Sequence, residues 1–307
     1  MTAKMPGFEH YKKKDHISIS SLTSFARCPR KFFYSSGCRL RSPDESLPMT
    51  YGSAIHAAIP YAIRGDIETA MCEFIAVWQD RDNREDRRRN SSRARVLLKN
   101  VLTLHRGHPI YTIIPPPPGG YELDESVSPD ELAFAIDIGL DRPFVGKIDA
   151  VGRHTDLNTV FAVEYKTSSR LGATFLSGFD YNPQTVSYAL ILKMLMPDET
   201  ISGTIIEALG TAITKAEVIL HLALISETMM EEFIEWAQLQ TTRIKQCEEN
   251  QNFPKDLSAC HPYSQFGSHG YRCDYCDLCR IENWTDLKNI FEVKEYDLFA
   301  PKKEEEK

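Results

Sequence analysis

The chain lacks any run of about 18 apolar residues, the length that a membrane-spanning helix needs, so no membrane span is expected. Residues 1–16 are polar and lysine-bearing, without the apolar stretch that directs secretion, which places the protein in the cytoplasm. A basic excess is also missing. Lys and Arg number 36 against 43 Asp and Glu, leaving a net charge of −7. Such a chain does not attract nucleic acid with its whole surface, so any phosphate contact needs a local basic patch. No internal repeat is found, which excludes a solenoid.

What is present suits a globular protein. A length of 307 residues with 42% hydrophobic residues allows one large domain or a core with an inserted subdomain. Eight cysteines in a cytoplasmic chain suggest metal or iron–sulfur ligation before disulfides.

Residues 18–36 read as a helix without a preceding strand, with Ser21 or Thr23 as cap. A second helix is expected from Gly52 to residue 63, and residues 66–105 read as helical, with Phe74, Val77, Trp78, Val96, Leu97 and Val101 buried. The middle of that stretch carries Arg81, Arg84, Arg87, Arg88, Arg89, Arg93 and Arg95, interleaved with Asp80, Asp82, Glu85 and Asp86. It serves either as a basic face over DNA phosphates, through Arg87, Arg88 and Arg93, or as a solvated, salt-bridged helix.

The proline run at residues 115–120 marks a boundary. Residues 132–138, 144–151 and 160–166 then read as strands. Asn182 and Pro183 open a helix as N-cap and first helical residue. Residues 204–209 and 217–225 read as a strand pair, and 228–249 as a helix. Residues 302–307 form a charged tail expected to be disordered.

Two short segments carry chemistry. Gly146-Lys147-Ile148-Asp149 lies in one apolar strand and Val163-Glu164-Tyr165-Lys166 in another. Burying these charges is costly without partners. Side chains two apart on a strand share a face, so Glu164 and Lys166 point the same way. If Asp149 pairs alongside, two carboxylates and an ammonium meet in one cleft. A divalent cation relieves their repulsion, and oxygen ligands favour Mg²⁺ or Mn²⁺. The plainer alternative is a salt bridge on an edge strand.

The G-K-I-D and E-Y-K pattern resembles the PD-(D/E)XK nuclease superfamily, in its RecB-like branch. Three further segments carry the resemblance in the family's order. Gly52-Ser53-Ala54-Ile55-His56 resembles G-x-x-x-H, Gln184 to Tyr188 resembles Q-x-x-x-Y, and Cys28-Pro29-Arg30-Lys31-Phe32 resembles the opening of the iron–sulfur members. The resemblance implies an α/β restriction-endonuclease-like core, a mixed central sheet flanked by helices, with a helical insertion and a C-terminal Cys-rich iron–sulfur segment. It implies metal ligation by His56, Asp149, Glu164 and the Tyr165 carbonyl, with Lys166 as catalytic lysine. Gln184 and Tyr188, four apart on one helix face, would contact DNA or support the site. Pro60 stands where many relatives carry a glutamate, and the helix is expected to end or kink there.

Cys260, Cys273, Cys276 and Cys279 follow at spacings of 12, 2 and 2 intervening residues, with Cys28 far upstream. A zinc ribbon has two separate C-x-x-C pairs, and only overlapping ones occur. The resemblance, to AddB-type, CRISPR-adaptation-type and phage-encoded nucleases, implies a 4Fe–4S cluster on Cys28, Cys260, Cys273 and Cys279. Cys276 would be spare or replace Cys260. A structural Zn²⁺ at the same thiolates, with His261 and His269 nearby in sequence, stays open. Cys38, Cys72 and Cys247 read as ordinary thiols.

The expected organisation is a flexible N-terminus (1–17), N-terminal helices with the first cluster cysteine and motif histidine (18–65), a helical insertion (66–114), the nuclease core (121–250), the Cys-rich segment (251–290) and a tail (291–307). The implied activity is metal-dependent hydrolysis of DNA at single strands or duplex ends, with a helicase or recombination protein as partner. The alternatives are a non-catalytic nucleic-acid-binding module of a recombination complex and a zinc-stapled scaffold.

Overall fold

The computed structural model describes residues 5–42, 46–79, 81–82, 86–118, 130–213, 215–260, 273–280 and 290–293. Residues 302–307, expected to be disordered, and both His261 and His269 lie outside the described residues. In chain order the helices are α1 (Ile19–Arg27), α2 (Pro29–Phe32), α3 (Leu47–Ile63), α4 (Ile67–Trp78), α5 (Ser91–Leu104), α6 (Ala173–Ser177), α7 (Pro183–Leu195), α8 (Glu227–Glu249) and α9 (Cys276–Arg280). The strands are β1 (Ile17–Ser18), β2 (Leu40–Arg41), β3 (Tyr111–Ile114), β4 (Leu132–Ile136), β5 (Phe144–Ile148), β6 (Ala150–His154), β7 (Val160–Ser168), β8 (Ile201–Gly210), β9 (Val218–Leu224) and β10 (Glu292–Val293). No helix of the described residues is long and apolar enough to cross a membrane. The chain forms two compact units, one of Met1–Asp44, Ala135–Gly146 and Glu232–Lys307, the other of Glu45–Phe134 and Lys147–Glu231.

The first unit gathers residues from both ends of the chain. Phe8, Tyr11, Phe32 and Phe33 pack their rings around Phe253. Tyr34 meets Tyr275 at 5.5 Å, and the Tyr275 hydroxyl donates to the Leu40 carbonyl at 2.8 Å. Ile17 and Ser18 of β1 pair in parallel with Phe144 and Val145 of β5. Residue 18 is therefore strand and cap at once. The Ser18 hydroxyl, not Ser21 or Thr23, accepts the Ser21 amide and opens α1. Thr23 instead bonds back to the Ile19 carbonyl at 2.9 Å.

The second unit is an α/β fold built on a mixed five-stranded sheet of order β3-β6-β7-β8-β9. Only β7 and β8 run parallel. Alternation along β7 sends Phe161, Val163 and Tyr165 into a large apolar core with α3, α4 and α5. Glu164 and Lys166 take the other face, which α7 covers. Gly203 lies at φ +143° where β8 shifts register against β7. A side chain there would strike the Ala223 carbonyl, so the bulge requires glycine.

Four expectations are corrected. Residues 66–105 make two helices and not one, because caps turn the chain. Asp66 accepts the Thr69 amide at 2.9 Å and Asn90 the Arg93 amide at 2.9 Å. Gln79 ends α4 in the left-handed region, and Asp82 then takes the Trp78 indole N–H at 2.7 Å. Val96 is exposed, since the start of α5 rotates it away from the core. Residues 144–151 break at Asp149 into β5 and β6. Pro60 does not end α3, which continues to Ile63.

Candidate active site

The site lies wholly in the second unit. Asp149 sits in the one-residue gap between β5 and β6, and its Oδ2 accepts the Tyr165 amide at 2.9 Å. The carboxylate thus satisfies a backbone donor of the neighbouring strand while remaining beside Glu164. Glu164 is only 4% exposed. Its Oε1 receives both the Lys166 ammonium and the Gln184 amide, the latter at 3.0 Å. Gln184 also donates to the Tyr188 hydroxyl at 2.8 Å. The Gln184 amide of α7 therefore donates both to the β7 carboxylate and to the Tyr188 hydroxyl, joining the two residues for which DNA contact or support of the site was expected.

His56 comes from α3, with Nδ1 3.5 Å from Asp149 Oδ2 and its ring edge-on to Tyr165 at 6.0 Å. Gly52, one turn earlier, lies where a Cβ would come within 3.2 Å of Thr167 Oγ1. A side chain at residue 52 would press on the Thr167 hydroxyl, which would have to give by a few tenths of an ångström, one turn before His56. Valine at Gly52 is expected to push the helix outward and reduce the site's activity by about tenfold or more. Activity per folded molecule, with melting curves as control, measures this.

The electrostatics follow from burial and crowding. Burial first, and the negative charge of Asp149 second, push Glu164 up to about 7 against the opposing Lys166 and His56. Burial would also raise Asp149, but His56, the Tyr165 amide and Lys166 outweigh it and hold that carboxyl below its usual value. Burial pulls His56 down, yet Asp149 and Glu164 overcome it and its pKa is raised. The buried carboxylate pair is thus stressed by its own charge, which a divalent cation would offset. Among the described residues no three His, Cys, Asp or Glu side chains already close around one point. His56 and Asp149 meet directly, whereas Glu164 reaches them through charge. The chemistry of the donor set fits the ion.

The sequence reading overlooked Glu131. Its carboxylate pairs with Lys147 at 3.6 Å, and burial, against Lys147 and with Asp149, raises its pKa. Its only signal is a lone acid preceding an apolar strand, which is common.

The arginines part company. Arg87 and Arg88 are exposed between α4 and α5. Arg93 donates to the Ala212 and Ile213 carbonyls, tying α5 to the turn between β8 and β9. Arg89 pairs with Asp86 at 2.9 Å and Arg95 with Glu68 at 2.7 Å.

In the first unit Cys28, Cys260 and Cys273 line one cavity with Arg27, Lys31 and Asp274. Burial, then the nearby Cys28, Cys273 and Cys276, raise the Cys260 thiol. Burial raises Cys279 to about 11 against Arg30 and Lys255, with Cys260 and Cys273 adding to the rise. All five cysteines are free thiols.

A family model described as the PD-(D/E)XK nuclease superfamily matches residues 16–281. A crystal structure of a proposed exonuclease from Eubacterium rectale shares 12% identity at TM-score 0.49, with 90% of this chain and 98% of that one covered. The crystal structure of SSO0001 shares 12% identity at TM-score 0.30, covering 76% and 79%. No curated protein matches the chain.

Proposed function

The chain belongs to the PD-(D/E)XK nuclease superfamily, and we propose that it is a metal-dependent DNA nuclease of the RecB-like branch, an exonuclease or DNA end-processing enzyme. The observation that carries this is Glu164, a buried carboxylate beside Asp149 with Lys166 and Gln184 on one oxygen. A purely structural ion pair has no need of a second buried acid and an imidazole at the same place.

His56, Asp149, Glu164 and the Tyr165 carbonyl would hold Mg²⁺ or Mn²⁺. When bound, such an ion would lower the pKa of a water and offset charge on the phosphodiester. Asp149 is held in place by the Tyr165 amide and Glu164 by Gln184, itself bonded to Tyr188. Lys166 orients the attacking water and neutralises the charge that grows on the phosphate oxygens. His56 would have to be neutral to hold the ion, against the protonated form that Asp149 favours. Arg87 and Arg88 supply phosphate contacts outside the site, with Arg93 bracing the neighbouring turn. The expected partner is a helicase or other recombination protein, in DNA repair or phage DNA metabolism.

Cys28, Cys260, Cys273 and Cys279 would hold a structural 4Fe–4S cluster, with Cys276 as alternate; zinc at the same thiolates is the competing occupant. Burial with the neighbouring cations of Arg27, Arg30, Lys31 and Lys255 supports this reading.

The test is cleavage of end-labelled linear DNA by anaerobically purified protein. Degradation that requires Mg²⁺ or Mn²⁺ and stops on chelation is expected. DNA binding without cleavage under every metal would instead assign the non-catalytic module.

A further inference from the structure

We propose that Tyr181 is a stacking platform for a base of single-stranded DNA, flanking the phosphate that the site cleaves. This rests on the nuclease reading and specifies its substrate. Tyr181 is 84% exposed and is the one aromatic among the large exposed hydrophobics of the described residues. An exposed tyrosine ring offers an apolar face with a polar edge, the chemistry on which a base can stack.

The ring does not owe its exposure to a loose loop. On one side Phe179 is buried against Ile206 and Ala208, with Phe175 edge-on at 5.2 Å. The Phe179 carbonyl accepts the Thr185 hydroxyl at 2.7 Å. Asp180 is held by His221 at 2.6 Å. On the other side Asn182 caps α7 by accepting the Gln184 amide at 2.9 Å, and its carbonyl receives the Thr185 hydroxyl at 2.8 Å. Each neighbour of Tyr181 is therefore fixed while the ring itself faces solvent. A rigidly mounted aromatic loses little conformational freedom on binding, which is what a stacking surface needs.

Position supplies the rest. Tyr181 precedes Gln184 by three residues, so their Cα atoms lie at most about 11 Å apart. Gln184 touches Glu164, the acid that would bind the reacting phosphate's ion. A strand with its phosphate at Glu164 and Lys166 would pass the start of α7, where Tyr181 stands, and the proposal is that a neighbouring base stacks there. Stacking requires a base free of its duplex partner, so the platform selects single strands or frayed ends. Every base has a π-face, so it adds affinity without sequence preference.

The experiment measures binding to a fluorescent oligothymidylate of about 20 nucleotides in Ca²⁺, alongside an abasic strand and a blunt duplex, and cleavage in Mg²⁺ and Mn²⁺. Tyr181→Ala is expected to weaken the thymidylate complex about tenfold while leaving the abasic strand and duplex within about twofold. Tyr181→Trp is expected to retain wild-type affinity. Equal affinity of Tyr181→Ala and wild type for thymidylate overturns the proposal, as does an equal loss on abasic strands. A wild type that binds single strands through Tyr181 but cuts nothing removes the hydrolytic reading and leaves the platform standing.

Discussion

Lys166→Ala is expected to reduce DNA cleavage by about a thousandfold or more while leaving folding and DNA binding nearly intact. The ammonium contacts Glu164 Oε1 and is itself about one-third exposed, so its removal opens no cavity in the core. Glu164 keeps its bond from Gln184 and remains in place. What disappears is the positive charge at the point where negative charge develops, and transition-state charge in a buried site is worth far more than in water. Lys166→Arg should not rescue, since a planar guanidinium cannot occupy the position of a compact ammonium beside Glu164. Single-turnover cleavage measured together with binding in Ca²⁺ separates the two effects. Wild-type rates in Lys166→Ala would remove the lysine from the mechanism and with it the assignment of this cleft.

The second large effect is expected at the thiols. Cys28→Ser should yield protein without the brown absorption of an iron–sulfur cluster and with less than stoichiometric iron. It should also destabilise the first unit by roughly 2–5 kcal/mol, by analogy with loss of a covalent cross-link. Cys28 joins the N-terminal segment of that unit, while Cys260, Cys273 and Cys279 belong to its C-terminal segment. Closing so long a loop restricts the unfolded chain. Cys72→Ser, at an exposed thiol, serves as the control and should change neither iron nor stability. Stoichiometric zinc in colourless wild-type protein, purified without oxygen, would replace the cluster with the zinc site. Retention of iron by Cys28→Ser and its loss from Cys276→Ser would move the ligand set.

Much of the candidate site's geometry was legible because its residues are paired locally in sequence. Glu164 and Lys166 stand two apart, and strand alternation alone puts them on one face. Gln184 and Tyr188 stand four apart behind an Asn-Pro helix start, and α7 duly places one above the other. Gly52 and His56 behave likewise on α3. The misreadings arose where one side chain outweighed a regional tendency. Asp149 interrupts an apolar strand because its carboxylate takes the Tyr165 amide. Asp66, Asp82 and Asn90 divide a periodic helical stretch by capping its pieces. Glu131 carries no periodic signal, and only its pairing with Lys147 and the nearness of Asp149 mark it.

By itself the sequence determined on which kind of element each candidate side chain sits, since helix and strand periods act over a few residues. Which oxygen meets which nitrogen was decided only by the tertiary structure. Contacts such as His56 to Asp149 and Gln184 to Glu164 join positions far apart in the chain. Their geometry depends on sheet register, on the close approach at Gly52 and on burial, and none of these is a property of a local segment.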